Sequence, residues 1–205
     1  MNESCSRWRG RLIAFEGIDG AGKSTQARHL VERWKARGRE VLLTREPTDG
    51  IYGKRIREAA AHGMRLPASE EVELFGKDRA EHVDSVILPA LERGQSVITD
   101  RYFLSTAAYQ GARGLDPDAI LESSEERFPT PDCALILEID THAGLGRVGA
   151  RGARDAFEHE ESLSAVAALF DSMQRDYIAR VNATRDELSV RRQIEEALLA
   201  RGLEN

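Results

Sequence analysis

Residues 17–25 carry the pattern G-x-x-x-x-G-K-[ST], in which residue types and spacing together predict chemistry. Glycines let a backbone curl around phosphates, so that successive N–H groups and the start of the next helix face the anion. Lys23 can reach the β- and γ-phosphates of a nucleotide, and the Ser24 hydroxyl is a ligand for Mg²⁺. A glycine-rich turn can arise by chance, but the complete pattern favours an ATP site made of Gly17, Ile18, Asp19, Gly20, Ala21, Gly22, Lys23, Ser24 and Thr25.

Asp100 and Arg101 form a second candidate pair, directly after a predicted strand. A carboxylate at that strand end can help Ser24 to hold Mg²⁺, directly or through water. Arg101 can bridge the phosphates of a donor and an acceptor. An ordinary salt bridge at a strand end would explain the pair equally well in isolation. Beside a phosphate loop, the functional interpretation is favoured.

Short apolar runs alternate with segments of helical periodicity along the chain. They predict strands at 11–16, 40–44, 96–99, 133–139 and 188–190, and helices at 22–38, 52–62, 69–94, 103–110, 117–127, 141–151, 162–182 and up to about 201. This order indicates βαβ units and a P-loop NTPase-like three-layer α/β/α fold with a parallel sheet of about five strands. In such sheets ligands bind beyond the carboxyl ends of the strands, where both candidate sites fall.

Composition narrows the class of protein. The 205 residues are 41% hydrophobic and 31% charged, so we expect a single globular domain at 11–205 after a polar tail at 1–10. A net charge of −6 disfavours nucleic acid as a partner. The first ten residues are polar, so we expect no signal peptide, and the sequence has no apolar run of membrane-spanning length. Cys5 and Cys133 do not suggest a disulfide framework. We therefore expect a cytoplasmic protein with no membrane partner.

Four segments in the same order resemble the thymidylate kinase family: residues 15–25, 44–47, 74–82 and 100–111. The resemblance extends from about residue 12 to residue 177 and implies a nucleoside monophosphate kinase-like domain. The implied reaction is ATP + dTMP → ADP + dTDP, with Mg²⁺ as cofactor and a homodimer as the assembly. A related P-loop kinase for another nucleotide or a deoxynucleoside is one alternative. A non-catalytic nucleotide-binding regulator is the other.

The resemblance also implies roles for residues around the acceptor. Phe75 would pack on thymine and Arg79, one helical turn later, would bond its O4; without the motif, core packing would explain Phe75. Tyr109 would lie against the sugar and exclude a ribose 2′-OH. The remaining acceptor residues would be Asp100, Arg101, Ser105, Thr106 and Gln110.

Two carboxylates, Glu46 and Asp19, would lie near the 3′-OH and the phosphate of the acceptor if the resemblance holds. The other interpretation is that both are solvated loop carboxylates. No strong general base is required, because an acceptor phosphate is largely ionised near neutral pH. Catalysis would depend on positioning and on charge neutralisation by Lys23, Mg²⁺, Arg101 and a lid, with Asp19 beside them.

An arginine-rich segment at about 147–158 is the predicted lid. Arg147, Arg151 and Arg154 are spaced i, i+4, i+7 and would share one helix face. Phosphoryl transfer needs cations over the transferring group, often from a closing arginine, although a basic run can also be a solvated helix face. The phosphate loop has Ala21 where some family members have arginine, so the chain resembles the lid-arginine type. Arg151 is then the predicted catalytic contact, with Arg147 and Arg154 as further ATP contacts.

Overall fold

Five parallel strands form one sheet at the centre of the computed structural model, which describes residues 9–64, 66–142, 144 and 153–204. The sheet order is β2-β3-β1-β4-β5. The strands are β1 (Leu12–Glu16), β2 (Val41–Arg45), β3 (Ser96–Asp100), β4 (Cys133–Glu138) and β5 (Ile178–Asn182). This confirms the predicted P-loop NTPase-like α/β class.

Burial explains the sheet order. Every residue of β1 is buried, and so are the first five residues of β4, as expected of strands covered by helices on both faces. Exposure alternates along the two edge strands: β5 has buried Ala179 and Val181 beside more exposed residues, and in β2 half-buried and exposed residues alternate after the buried Val41. The predicted strands therefore agree with the structure wherever the apolar run was continuous.

Helices connect the strands and cover both faces. They are α1 (Lys23–Ala36), α2 (Ile51–Ala61), α3 (Ala68–His82), a π-helical turn (Val83–Ile87), α4 (Leu88–Glu92), α5 (Phe103–Gly111), α6 (Pro117–Arg127), α7 (Ala153–Ser172) and α8 (Glu187–Ala200). The predicted helix at 69–94 is thus α3, the π-helical turn and α4 in succession. Among the helices of the described ranges, none combines the length and apolar character that a membrane crossing requires.

The C-terminal part of the sequence prediction was wrong in two respects. The predicted helix at 162–182 ends at Ser172, and the last strand is β5, at 178–182. Residues 188–190, predicted as a strand, belong to the first turns of α8. The Asp186 carboxylate caps that helix by accepting a hydrogen bond from the Ser189 N–H at 3.0 Å. The alternating pattern of β5 is only five residues long, so the sequence prediction extended the helical pattern of the preceding segment through it.

The carboxyl ends of β1, β2 and β3 meet at one edge of the sheet. Phe15 pairs with Asp100 across β1 and β3, and Arg45 pairs with Asp100 across β2 and β3. The phosphate loop follows β1, Glu46 follows β2, and Arg101 follows β3. The parallel register therefore places the predicted donor and acceptor residues beside one another.

Candidate active site

The phosphate loop, residues 17–25, joins β1 to the start of α1. Gly17 has a φ of 124°, and a Cβ there would lie 2.5 Å from the Leu137 carbonyl oxygen, so only glycine fits. Because α1 begins at Lys23, its N-terminal N–H groups and dipole face the loop. A cavity of about 540 Å³, the loop cavity, opens over residues 19–26 and is bounded by Asp100 and Arg101. It is a suitable place for polyphosphate.

Lys23 is buried in this loop. Its Nζ donates to the Ile18 carbonyl oxygen at 2.8 Å. Burial, and after it the nearby Arg101 charge, lowers the Lys23 pKa from 10.5 to about 8. A bound anion would favour the charged form again, so the ammonium is prepared for phosphate.

Ser24 and Asp100 lie together, as the magnesium prediction requires. The Ser24 hydroxyl donates to the Asp100 carboxylate. A hydroxyl and a carboxylate are oxygen donors that suit Mg²⁺, which keeps several waters and takes further ligands from phosphates. In the described ranges, no three His, Cys, Asp or Glu side chains converge as a metal site, so few protein ligands are available. The pair fits a magnesium ion shared with a nucleotide.

Arg101 occupies an unusual backbone position for a non-glycine residue, with a φ of 74°. Its guanidinium donates to the Gly17 carbonyl at 3.0 Å, the Ser105 hydroxyl at 2.8 Å and the Asp19 carboxylate at 2.6 Å. It also lies 3.2 Å from the Tyr109 hydroxyl. Burial opposes ionisation of Asp19, but the Arg101 and Lys23 charges outweigh it and lower the Asp19 pKa. Arg101 therefore links the phosphate loop to α5.

A second cavity of about 350 Å³, the inner cavity, opens on the other side of Arg101. It is lined by nine of the residues predicted to serve the acceptor or the catalytic step: Asp19, Glu46, Phe75, Arg79, Arg101, Ser105, Thr106, Tyr109 and Gln110. Asp100 faces the loop cavity instead. Asp19 and Arg101 line both cavities, so the two spaces meet at this pair. A larger cavity, of about 660 Å³, runs from Ser24 and Asp100 along the outer edge of β2, away from this pair.

Glu46 and Arg79 form a buried ion pair at the far end of the inner cavity. The side chains of both are 2% exposed, and the Arg79 Nη2 lies 2.7 Å from the Glu46 Oε2. Glu46 is therefore not a solvated loop carboxylate, which was the alternative interpretation. The Arg79 Nη2 also donates to the Thr106 hydroxyl at 3.0 Å. The guanidinium is fixed from two sides, which suits recognition of a ligand.

Three residues near the site escaped sequence reasoning. Arg57 on α2 lines the inner cavity and donates to the Pro47 carbonyl oxygen at 2.9 Å. His82 contacts Glu46, with 3.0 Å between Nδ1 and Oε1. Glu16 is fully buried at the end of β1. Arg57 could have been identified as a cation on the helix after the second strand. His82 could have been identified because it lies one helical turn after Arg79. Glu16 gave no local signal.

Glu16 holds the chain beyond β3 in place. Its carboxylate accepts the Tyr102 N–H at 2.9 Å and the Ser105 hydroxyl. Burial raises the Glu16 pKa from 4.5 to about 7. One carboxylate thus connects the strand before the phosphate loop to Tyr102 and Ser105, which follow Arg101 at the start of α5.

The lid arginines cannot be compared with these contacts. Arg147 and Arg151 lie outside the described residues, and so does the side chain of Arg154. The backbone at 153–158 is the start of α7. The assignment of Arg151 as catalytic contact therefore stays a prediction.

A phosphate loop with a paired hydroxyl and carboxylate, joined through one arginine to a second cavity, defines a P-loop nucleotide kinase. A family model of thymidylate kinase matches residues 15–194. The chain belongs to the thymidylate kinase family. It is similar to the thymidylate kinase of Akkermansia muciniphila, with 46% identity over 193 residues, 94% of this chain and 93% of that protein. It is 45% identical to that of Xanthomonas campestris pv. campestris (strain B100) over 93% of this chain and 84% of the relative. It is 44% identical to the thymidylate kinase of Desulfotalea psychrophila over 90% of this chain and 92% of that relative.

Proposed function

We infer that the chain transfers the γ-phosphoryl group of ATP to dTMP, giving ADP and dTDP. The single observation that carries this inference is that Asp19 and Arg101 line both the loop cavity and the inner cavity. A donor phosphate over the loop and an acceptor phosphate in the inner cavity would therefore meet at one arginine. Members of the family that share nearly half of the residues are named thymidylate kinases.

The donor end of the reaction uses Lys23, Ser24 and Asp100. Lys23 neutralises the β- and γ-phosphate oxygens, and its buried position makes this contact stronger than in water. Ser24 and Asp100 would hold Mg²⁺, which neutralises further phosphate charge when bound. Arg101, already bonded to Gly17 and Asp19, remains in place while charge shifts from donor to acceptor.

The acceptor end is shaped for a phosphate and a base. Arg57 and Arg101 are the guanidinium groups that can hold the acceptor phosphate. Phe75 offers a ring for stacking, and Tyr109, whose hydroxyl lies near Arg101, would lie against the sugar. Arg79 has only donors, so the atom it meets must be an acceptor. Thymine presents a carbonyl oxygen there, whereas cytosine presents an amino group, so the site favours dTMP over dCMP.

Lid closure supplies the remaining charge in this proposal. Arg151 would reach the transferring group, with Arg147 and Arg154 on the ATP phosphates, because the loop position Ala21 carries no charge. Closure would also exclude water and limit ATP hydrolysis. We further propose that the protein is a cytoplasmic homodimer with neither nucleic acid nor membrane as partner. Light scattering after size exclusion would measure the oligomer.

Coupled ADP release tests the function. Purified protein with ATP and Mg²⁺ is offered dTMP, dUMP, UMP, dCMP, dGMP, AMP and thymidine, with Lys23→Ala as control. We expect turnover on dTMP that Lys23→Ala abolishes. Turnover on another acceptor would favour a related kinase and overturn the roles of Phe75, Arg79 and Tyr109. ATP binding without acceptor-dependent ADP release would favour a nucleotide-binding regulator.

A further inference from the structure

A chain of hydrogen bonds leads away from the inner cavity through Arg79 to the edge strand β2. The Arg79 Nε donates to the Glu46 Oε2 at 2.9 Å. The other Glu46 oxygen, Oε1, lies 3.0 Å from the His82 Nδ1. The second ring nitrogen of His82, Nε2, lies 2.7 Å from the Thr44 hydroxyl. The side chains of Glu46 and His82 are both 2% exposed, so the bond between them is shielded from water.

The donor roles in this chain follow from the groups themselves. An ionised carboxylate only accepts, so the His82 Nδ1 must carry the proton that it gives to Glu46. In the neutral ring Nε2 then accepts from the Thr44 hydroxyl, which fixes the tautomer. With its two oxygens bonded to Arg79 and to His82, Glu46 has one orientation. That orientation determines where the guanidinium of Arg79 points.

The Arg79 guanidinium keeps N–H donors that the described residues do not use. Nε and Nη2 are occupied by Glu46 and the Thr106 hydroxyl. The Nη1 group has no hydrogen bond to the part of the protein that the structure describes. Its two protons are therefore available to an acceptor atom on a ligand in the inner cavity.

We propose that His82 is a positioning residue for base recognition: it fixes Glu46, and through Glu46 it aims the free Arg79 Nη1 protons at the base of the acceptor. His82 is not among the residues that line the inner cavity; it lines the larger cavity beside β2, together with Thr44. Its removal therefore affects how well the site distinguishes one base edge from another, rather than the transfer step. The inference rests on the proposed function, because the base that Arg79 meets is that of the acceptor nucleotide.

Two substitutions of His82 separate positioning from space filling. In His82→Asn the amide nitrogen is attached to Cγ, as Nδ1 is, and can still donate to Glu46. In His82→Gln the amide nitrogen is one bond further out, near the former Nε2, and this donor is lost. We expect His82→Gln to raise KM for dTMP about 10- to 100-fold and to lower the dTMP-to-dCMP ratio of kcat/KM by a similar factor, as befits one lost bond to a charged group.

His82→Asn should keep KM for dTMP and the dTMP-to-dCMP ratio of kcat/KM within a few-fold of the wild type. KM for ATP should be unchanged in both variants. His62→Gln, the same substitution at an exposed position at the end of α2, is the matched control and should change neither value. Equal impairment in His82→Asn and His82→Gln would mean that the ring only fills space. Unchanged dTMP-to-dCMP discrimination in His82→Gln would also overturn the proposal.

A second measurement does not depend on turnover or on the folding of a variant. Nitrogen NMR of the wild-type protein reports which ring nitrogen of His82 carries a proton, and the expected result is protonated Nδ1 in slow exchange with water. An Nε2–H tautomer with unprotonated Nδ1 would refute the hydrogen-bonded chain. Absence of wild-type turnover on dTMP would instead refute the proposed function, so the two failures are distinguishable.

Discussion

Replacement of Glu16 by glutamine should change the free energy of unfolding in a pH-dependent way. Relative to the wild type, the variant should be more stable at pH 8 than it is at pH 5. Glu16 is fully buried, and burial raises its pKa from 4.5 to about 7. Glutamine keeps the shape and the carbonyl oxygen that accepts the Tyr102 N–H, while it removes the charge. The bond from the Ser105 hydroxyl is the one that must rearrange.

The magnitude follows from the two pKa values. Because the folded-state pKa is raised, the contribution of Glu16 to stability is complete below about pH 4.5 and is lost as the pH rises through about 7. At ~1.4 kcal/mol for each pH unit between the two values, the loss from about pH 5 to about pH 8 is roughly 2–3 kcal/mol. Glu16→Gln cannot lose a proton, so the free energy of unfolding of the variant should gain that amount on the wild type across this range.

Urea unfolding of wild type and Glu16→Gln at a series of pH values measures this difference. Glu40→Gln is the matched control, because Glu40 is an exposed carboxylate just before β2, and its difference from the wild type should not vary with pH. A Glu16→Gln difference that is constant from pH 5 to pH 8, or that shifts toward the wild type at high pH, would refute the reasoning. It would mean that Glu16 is ionised throughout, held by Arg101.

Four further predictions concern activity. Lys23→Ala should lower kcat at least about 100-fold with little change in thermal unfolding, because the β- and γ-phosphates lose their buried cation; coupled ADP release and circular dichroism measure both effects. Phe75→Ala should raise KM for dTMP about tenfold and leave KM for ATP unchanged, since one stacking contact is lost; equal effects on both would indicate core packing. Tyr109→Phe loses the hydroxyl near Arg101 and should lower kcat/KM about two- to tenfold, whereas Tyr109→Ala should admit UMP, which acceptor profiling would detect. Arg151→Ala should lower kcat by a factor of about 1,000 or more if it is the lid contact; a smaller loss than in Arg147 or Arg154 variants would reassign that role.

Local patterns in the sequence were sufficient for the fold class and for the position of the phosphate loop between β1 and α1. The phosphate loop depends on glycines, Lys23 and Ser24 within one short segment, so the sequence contains its whole geometry. The central strands β1 and β4 are nearly continuous apolar runs, as expected of strands that helices cover on both faces. Because each motif directly follows a predicted strand, the parallel sheet predicted that Asp100 and Arg101 would lie beside the loop.

The tertiary structure decided what depends on partners far apart in the chain. Glu46 and Arg79 are separated by 33 positions, and Glu16 and Ser105 by 89. A carboxylate that ends a strand looks the same in sequence whether it is solvated or buried, and only the packing of α3 and α5 over the strand ends determines which. The edge strand β5 was missed for a related reason. Its alternation is too short to be read alone, and its place is fixed by pairing with β4.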